Sequence, residues 1–268
     1  MVVQAARPLL DPFRSDGGIL RRLRGPSGSV VTWLALVAYL VVVKLLSVTL
    51  VPITFRGSGQ EALFDWTSLG VFAALGLIGV VLAERTGFPG AWDARISNHR
   101  RVLLPALAGL GLGMAAVVID IATGATARLA QVIGQPSFNI DFPGSLLTYS
   151  AGAILVEVQY RLFTVPFLLF LISGLLLRGH GQNRIFWVLA IVSAGLEPML
   201  QGVGLTLIGG GAITPVMLVG YLLTAVTGNL LQVIVFRRYG LVAPIVQREA
   251  YYLVWHILYG NVLFGRGV

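Results

Sequence analysis

The sequence predicts an all-α fold: a polytopic transmembrane helical bundle of about seven to eight helices. Apolar residues make up 56% of the 268 positions and charged residues only 11%. A soluble domain carries about 25% charged residues, so this composition is typical of a membrane protein. The mean hydropathy is +0.85. Apolar runs of about 20 residues, the length that crosses the hydrocarbon core of a bilayer, recur through most of the chain.

Residues 1–28 precede the first apolar run and are predicted to form a basic cytoplasmic tail. They contain five arginines, and they lack the apolar run and the small-residue cleavage site of a signal peptide. The rest of the chain, 29–268, is predicted to be a single helical membrane domain. Its predicted spans are 29–52, 66–83, 102–122, 145–177, 185–208, 213–236 and 240–264.

The segments between and within these spans carry their own signals. The loop 84–101 contains a Pro-Gly turn. The connection 123–143 is mixed in polarity, and the string TARLAQVI within it predicts a short amphipathic helix. Residues 145–177 are long enough for one tilted span and an additional segment, with a kink expected at Pro166.

The positions of the arginines predict the orientation of the chain. With the N-terminus inside and 145–177 crossing once, seven crossings result. Thirteen of the 19 basic residues then fall on inside segments: Arg7, Arg14, Arg21, Arg22, Arg24, Arg85, Arg95, Arg100, Arg101, Arg178, Arg184, Arg237 and Arg238. Arg56, Arg128 and Arg266 fall outside. This excess of inside arginines predicts a multi-pass protein of the cell membrane with a cytoplasmic N-terminus.

The composition also limits the partners and cofactors of the chain. The formal net charge is +8, but the arginines are spread over short loops, so the charge indicates membrane topology and no nucleic-acid partner is expected. The lipid bilayer is the predicted environment. The chain has no cysteine, which excludes a disulfide framework and a thiolate metal site.

Of the ionisable residues inside the predicted spans, five are candidates for a site: Glu157, Arg161, Glu197, Arg248 and His256. A charged side chain at the centre of a bilayer costs roughly 2.5–3.5 kcal/mol on insertion scales, and such residues usually face a protein interior and mark a site. Glu157 and Arg161 are four residues apart and share a helix face. The spacing of Arg248, Tyr252 and His256 likewise predicts one polar stripe. We therefore expect the five to line one cavity among the spans.

Structural roles are the alternative for each of these residues. Glu157 and Arg161 could form an ion pair that only orients helices, and Glu197 could be the counter-charge of Arg248. His256 could be a core histidine bonded to a carbonyl group. Three separate spans contribute ionisable groups at similar depth, however, and this joint occurrence favours a shared polar site.

The string VEVQYR at residues 156–161 resembles the first motif of the CPBP family. These are intramembrane proteases related to the type II CAAX prenyl endopeptidase and to bacteriocin self-immunity proteins. Their first motif reads EExxxR, with an aromatic residue before the arginine. Here the string is VEVQYR. Glu157, Tyr160 and Arg161 match the motif, and Val156 stands where the first glutamate belongs.

Two later segments are similar in shape to the other family motifs. The second motif is a phenylalanine followed four residues later by a histidine, and the string SAGLEP has Ser193 and Glu197 at those places. The third is a histidine followed four residues later by asparagine or aspartate, often with a second histidine. After Gly-Leu at 240–241, its three places are taken by Arg248, Tyr252 and His256. In another register His256 is the motif histidine and Asn261 lies one residue beyond the motif.

The resemblance covers about residues 100–264 and implies an intramembrane endopeptidase that hydrolyses a membrane-associated or prenylated peptide or protein. In the family, the first glutamate and the second-motif histidine activate water. Here Glu157 or Glu197 would be the base, and Arg248 or His256 would stabilise the oxyanion. Val156 and Glu197 depart from the motifs, which also fits a catalytically silent relative that binds a partner peptide or lipid. A small proton-coupled transporter is the third reading.

On this resemblance the candidate catalytic residues and the candidate substrate contacts can be named. The catalytic set is Glu157, Arg161, Glu197, Arg248 and His256. The substrate contacts are Tyr160, Tyr252 and Asn261. Two carboxylates and one histidine could bind zinc, but the HExxH spacing is absent and only one of the three histidines lies inside a span. The sequence therefore assigns no metal and leaves the cofactor open.

Overall fold

The computed structural model describes residues 28–51, 64–132, 134 and 139–263. Within this part of the chain it contains eight helices and no strand, so the predicted all-α fold is confirmed. The predicted tail up to residue 27 lies outside the described residues, as do Arg56 and Arg266.

The helices follow one another with short connections. They are α1 (Gly28–Thr49), α2 (Trp66–Arg85), α3 (His99–Thr123), α4 (Ala125–Val132), α5 (Gly144–Leu176), α6 (Gln182–Gly209), α7 (Pro215–Tyr239) and α8 (Val242–Tyr252). Helix α4 confirms the short helix expected around TARLAQVI. Helix α5 contains π-helical turns at Val158–Phe163 and Phe170–Leu176, on either side of Pro166, and further π-helical turns continue α8 over Leu253–Leu263.

Six of these helices are long and apolar enough to cross a membrane: α1, α2, α3, α5, α6 and α7. They are the helices of a multi-pass membrane protein. The predicted seventh span, 240–264, is helical but does not belong to these six, and its helix α8 carries Gln247, Arg248 and Glu249. Helix α8 packs against α3, α5 and α7. A helix covered by its neighbours needs less apolar surface than one that faces lipid on all sides.

Glycines allow the closest of these contacts. A Cβ atom on Gly109 in α3 would lie 2.1 Å from the backbone oxygen of Gln247 in α8. One turn later, a Cβ on Gly113 would lie 2.7 Å from the Cβ of Val254. Small residues at a helix interface let two backbones approach closely in a membrane. The middle of α3 and the middle of the last helix are therefore in direct backbone contact.

One end of the bundle, which we call the basic end, holds most of the arginines that the structure describes. The backbone oxygen of Thr86 accepts hydrogen bonds from Gln182 Nε2 (2.7 Å) and Arg237 Nη1 (2.8 Å), so the ends of α2 and α7 meet the start of α6. The Ser29 hydroxyl accepts from the Ala91 amide (2.9 Å) and adds the start of α1. The basic end comprises Arg85, Arg95, Arg100, Arg101, Arg178, Arg184, Arg237 and Arg238.

An acidic residue at this end is paired. Asp93, in the loop between α2 and α3, accepts hydrogen bonds from the guanidinium group of Arg95, with Nη2 at 2.6 Å. This hydrogen bonding lowers the pKa of Asp93 to about 2. Asp93 therefore remains ionised at neutral pH and offsets one of the arginines.

Candidate functional site

Four of the five predicted ionisable residues meet in the interior of the bundle. Helix α5 supplies Glu157 and Arg161, α6 supplies Glu197, and α8 supplies Arg248. None of the four is more than 5% exposed. We call these four residues the charge cluster. It holds two carboxylates and two guanidinium groups, so its formal charge is zero.

Arg248 lies between the two carboxylates. Its Nε donates to Glu157 Oε1 at 2.6 Å. Its two terminal nitrogens form a bidentate pair with Glu197, Nη1 with Oε1 at 3.0 Å and Nη2 with Oε2 at 3.2 Å. Charge-assisted, bidentate contacts of this kind are among the strongest hydrogen bonds in proteins. One guanidinium group therefore binds both candidate bases.

Neutral side chains complete the surroundings of Arg248. Nη1 also donates to the hydroxyl of Tyr252 at 3.2 Å, and Nη2 to Asn229 Oδ1 at 3.1 Å and to Gln232 Oε1 at 2.9 Å. A guanidinium group has five N–H donors and no acceptor. All three nitrogens of Arg248 thus have acceptors, which is what a buried cation requires.

Arg161 and Glu157 form an ion pair, as their spacing allows, but the pair is not hydrogen-bonded. Arg161 Nη1 donates to Glu197 Oε2, whereas its Nε lies 3.9 Å from Glu157 Oε2, beyond hydrogen-bond distance. Arg161 lies in the π-helical turn at Val158–Phe163, and a π turn shifts the register of an α-helix. The close partners are therefore Glu157 with Arg248 and Glu197 with both arginines.

Three polar atoms of the charge cluster have no hydrogen-bond partner among the described residues. They are Glu157 Oε2, Arg161 Nε and Arg161 Nη2. All three are buried. Glu157 Oε2 is the acceptor and Arg161 Nε is a donor, and these are the two atoms that lie 3.9 Å apart.

A proline in α6 explains how Asn229 is placed. Pro198 has no N–H group, so the carbonyl of Ala194, four residues earlier, loses its partner within the helix. Asn229 Nδ2 donates to this Ala194 oxygen at 3.2 Å. The amide of Asn229 is thereby oriented with its oxygen towards Arg248.

The sequence interpretation missed Asn229 and Gln232. Both are buried in α7 and both accept from Arg248. A signal was present, because two amides three residues apart on one helix face interrupt an otherwise apolar span. Such amides can hydrogen-bond across helices inside a membrane.

His256 bonds outside the charge cluster. Its Nδ1 lies 2.7 Å from Asn139 Oδ1, and its ring stacks on Tyr149 with the ring centres 4.1 Å apart. It contacts Tyr252 edge-on, with the ring centres 4.9 Å apart. The structure thus brings together four of the five predicted residues and links His256 to them through the ring of Tyr252.

The three predicted substrate contacts have structural partners. Tyr252 accepts from Arg248, and the backbone oxygen of Tyr160 accepts from Ser193 Oγ at 2.8 Å. Asn261 Oδ1 accepts from the Phe142 amide at 3.0 Å, and Nδ2 donates to the oxygens of Ile140 (3.1 Å) and His256 (2.9 Å). Asn261 therefore fastens the start of α5 to the last helix.

Within the described part of the chain, no three His, Asp or Glu side chains are grouped so that they could hold a metal ion. The chemistry of the charge cluster is instead that of a neutral, internally paired set of ions. No protein-family model, no curated protein and no solved structure matches this chain.

Proposed function

We propose that this chain is a multi-pass membrane protein that resembles the CPBP proteases in its motifs but binds a partner in the membrane instead of hydrolysing a peptide bond. The position of Arg248 supports this proposal. Its guanidinium group lies between Glu157 and Glu197 and hydrogen-bonds to both, so a hydrolytic water or a scissile carbonyl cannot lie between the two carboxylates.

The physical reason against hydrolysis is that both carboxylates already accept hydrogen bonds from guanidinium groups. A general base must be within hydrogen-bond reach of the proton that it removes and must be free to accept it. Glu197 already accepts from two guanidinium groups, and Glu157 Oε1 accepts from Arg248 at 2.6 Å. Proton transfer to Glu197 or to Glu157 Oε1 would require these charge-assisted bonds to break inside the bundle.

Peptide hydrolysis is the second candidate, and one observation favours it. Glu157 Oε2 has no hydrogen-bond partner among the described residues and lies beside the unpartnered Arg161 Nε and Nη2. A water molecule that accepted from Arg161 and donated to Glu157 would lie next to a carboxylate oxygen able to take its proton. In this reading Glu157 is the base and Arg248 holds it in place.

One assay separates the two candidates. Purified protein in lipid nanodiscs is incubated with a library of membrane-anchored peptides, some of them prenylated, with and without added zinc, and products are identified by mass spectrometry. We expect no cleavage by the unmodified chain or by its Glu157→Gln variant. Cleavage that the unmodified chain performs and Glu157→Gln loses by a factor of about 10² or more would establish the hydrolase instead.

We also propose that the protein lies in the cell membrane with its basic end towards the cytoplasm. The concentration of eight described arginines at that end supports this orientation, because arginine-rich ends of membrane helices are retained on the cytoplasmic side.

A further inference from the structure

Glu249 lies at the middle depth of the bundle. Its neighbours along α8 contact the centre of α3: Gly109 approaches the oxygen of Gln247, and Gly113 approaches Val254. Gly109 and Gly113 are near the midpoint of α3, which is itself one of the six membrane-spanning candidates. A residue between these two levels is far from both ends of the span. Glu249 is therefore placed in the hydrocarbon region and not at an interface.

Glu249 differs from Glu157, Glu197 and Asp120 in having no partner. Glu157 and Glu197 bind arginines, and Asp120 binds the Tyr259 hydroxyl at 2.7 Å and the Thr126 amide at 2.8 Å. Among residues 28–51, 64–132, 134 and 139–263, none gives Glu249 a hydrogen bond or an ion pair. Its side chain is only partly buried.

The helix geometry directs Glu249 away from both polar contacts of α8. Arg248 and Tyr252 face the charge cluster, and Gln247 bonds to the Gly228 oxygen of α7 at 3.2 Å. Two residues share the helix side of Glu249: Val246, three positions before it, and Leu253, four positions after it. Val246 is partly buried and Leu253 is 42% exposed. Glu249 thus belongs to an outward stripe that is otherwise apolar.

An isolated carboxylate at this depth is costly, and such residues pair with one another or with groups of opposite charge. A metal or sodium ion is a poor partner, because such ions take several oxygen or nitrogen ligands, and no His, Asp or Glu group of three is present in the described residues. An apolar stripe with one acidic residue is instead complementary to a transmembrane helix that carries one basic residue.

We propose that the stripe Val246–Glu249–Leu253 docks a partner transmembrane helix through a lysine or arginine that pairs with Glu249 in the bilayer. This proposal rests on the proposed partner-binding function and names the chemistry of the partner.

A second copy of the chain does not fit. Lys44, the basic residue of α1, lies 16 residues from the start of that helix, and Glu249 only seven from the start of α8. At 1.5 Å per residue their depths differ by roughly 13 Å.

Designed peptides test this inference. Leucine-alanine transmembrane peptides with lysine, glutamine, glutamate or leucine at the central position are mixed with the protein in phosphatidylcholine nanodiscs. Association is measured by energy transfer to a dye on Ser97→Cys, the chain being otherwise free of cysteine. The lysine peptide is expected to associate at least about tenfold more strongly than the leucine and glutamate peptides, which corresponds to about 1.4 kcal/mol.

Variants of the chain identify the residue responsible. Glu249→Gln should remove the preference for lysine, and Glu249→Asp should keep part of it. Tyr39→Phe is the matched control, because it removes a polar group from another lateral surface, where Tyr39 contacts Ser150. The inference is overturned if the lysine peptide has no advantage, or if the advantage survives Glu249→Gln. It is also overturned if proteoliposomes show a proton flux that needs Glu249 without any lysine preference. The cleavage assay is independent of all these results, so the two proposals can fail separately.

Discussion

At the scale of single residues, Arg248 is the cation that contacts both buried carboxylates of the interior. It contacts both carboxylates, two amides and a tyrosine hydroxyl. Two carboxylates this close would repel each other without it. The cluster is stable as a neutral unit, and any single change that leaves a net charge inside should be costly.

Neutrality predicts the outcome of a double change. Glu157→Leu alone leaves two buried guanidinium groups for one carboxylate and should lower the free energy of unfolding by about 3–5 kcal/mol. Adding Arg161→Leu leaves the bidentate pair of Arg248 with Glu197, which is neutral. The double variant should therefore be more stable than the single one. Thermal melting in detergent measures this, and equal losses for the two variants would contradict it.

At the scale of the helix, the proline of α6 and the asparagine of α7 act together. Asn229→Leu removes the donor to the Ala194 oxygen and an acceptor of Arg248, and should cost about 1–3 kcal/mol. In a Pro198→Ala background the new N–H group at position 198 can bond to Ala194, so the same substitution should cost less. A double-mutant cycle of melting temperatures measures the coupling, and strictly additive losses would show that the two residues act separately.

The contact between α3 and α8 predicts a contrast between two glycines of one helix. Gly109→Ala places a methyl group 2.1 Å from a backbone oxygen of α8, so the helices must separate. Overpacking of this kind costs about 1–3 kcal/mol. Gly111 has no atom within 4 Å of the position of a Cβ, so Gly111→Ala should be neutral or slightly stabilising. Similar melting temperatures for both variants would show that the helices are not in this close contact.

At the scale of the whole molecule, the two ends of the bundle should face opposite sides of the membrane. Because the natural chain has no cysteine, single cysteines report their side directly. Ser97→Cys lies in the loop of the basic end, and Gln131→Cys lies in α4 at the other end, both exposed. A membrane-impermeant maleimide added to intact cells should label Gln131→Cys and not Ser97→Cys. The reverse pattern would invert the proposed orientation.

The sequence by itself determined the all-α membrane fold, the short helix α4 and the residues of the charge cluster. Composition and apolar runs of membrane length can be read directly from the chain. A charged residue inside an apolar run is costly in lipid, so its position in the sequence indicates that it is buried in the protein. The free carbonyl of Ala194 is also predictable from the sequence, because Pro198 has no N–H group to donate to it.

Only the tertiary structure decided which of these groups are partners. The spacing favoured Glu157 with Arg161, but the packing of α8 against α5 and α6 brings Arg248 closer to both carboxylates, and a π-helical turn displaces Arg161. Periodicity placed His256 on the stripe of Arg248, yet Asn139, 117 residues away in the chain, binds it. Pairing depends on distances between helices, and these are set by close contacts such as Gly109 with Gln247, which no local pattern encodes.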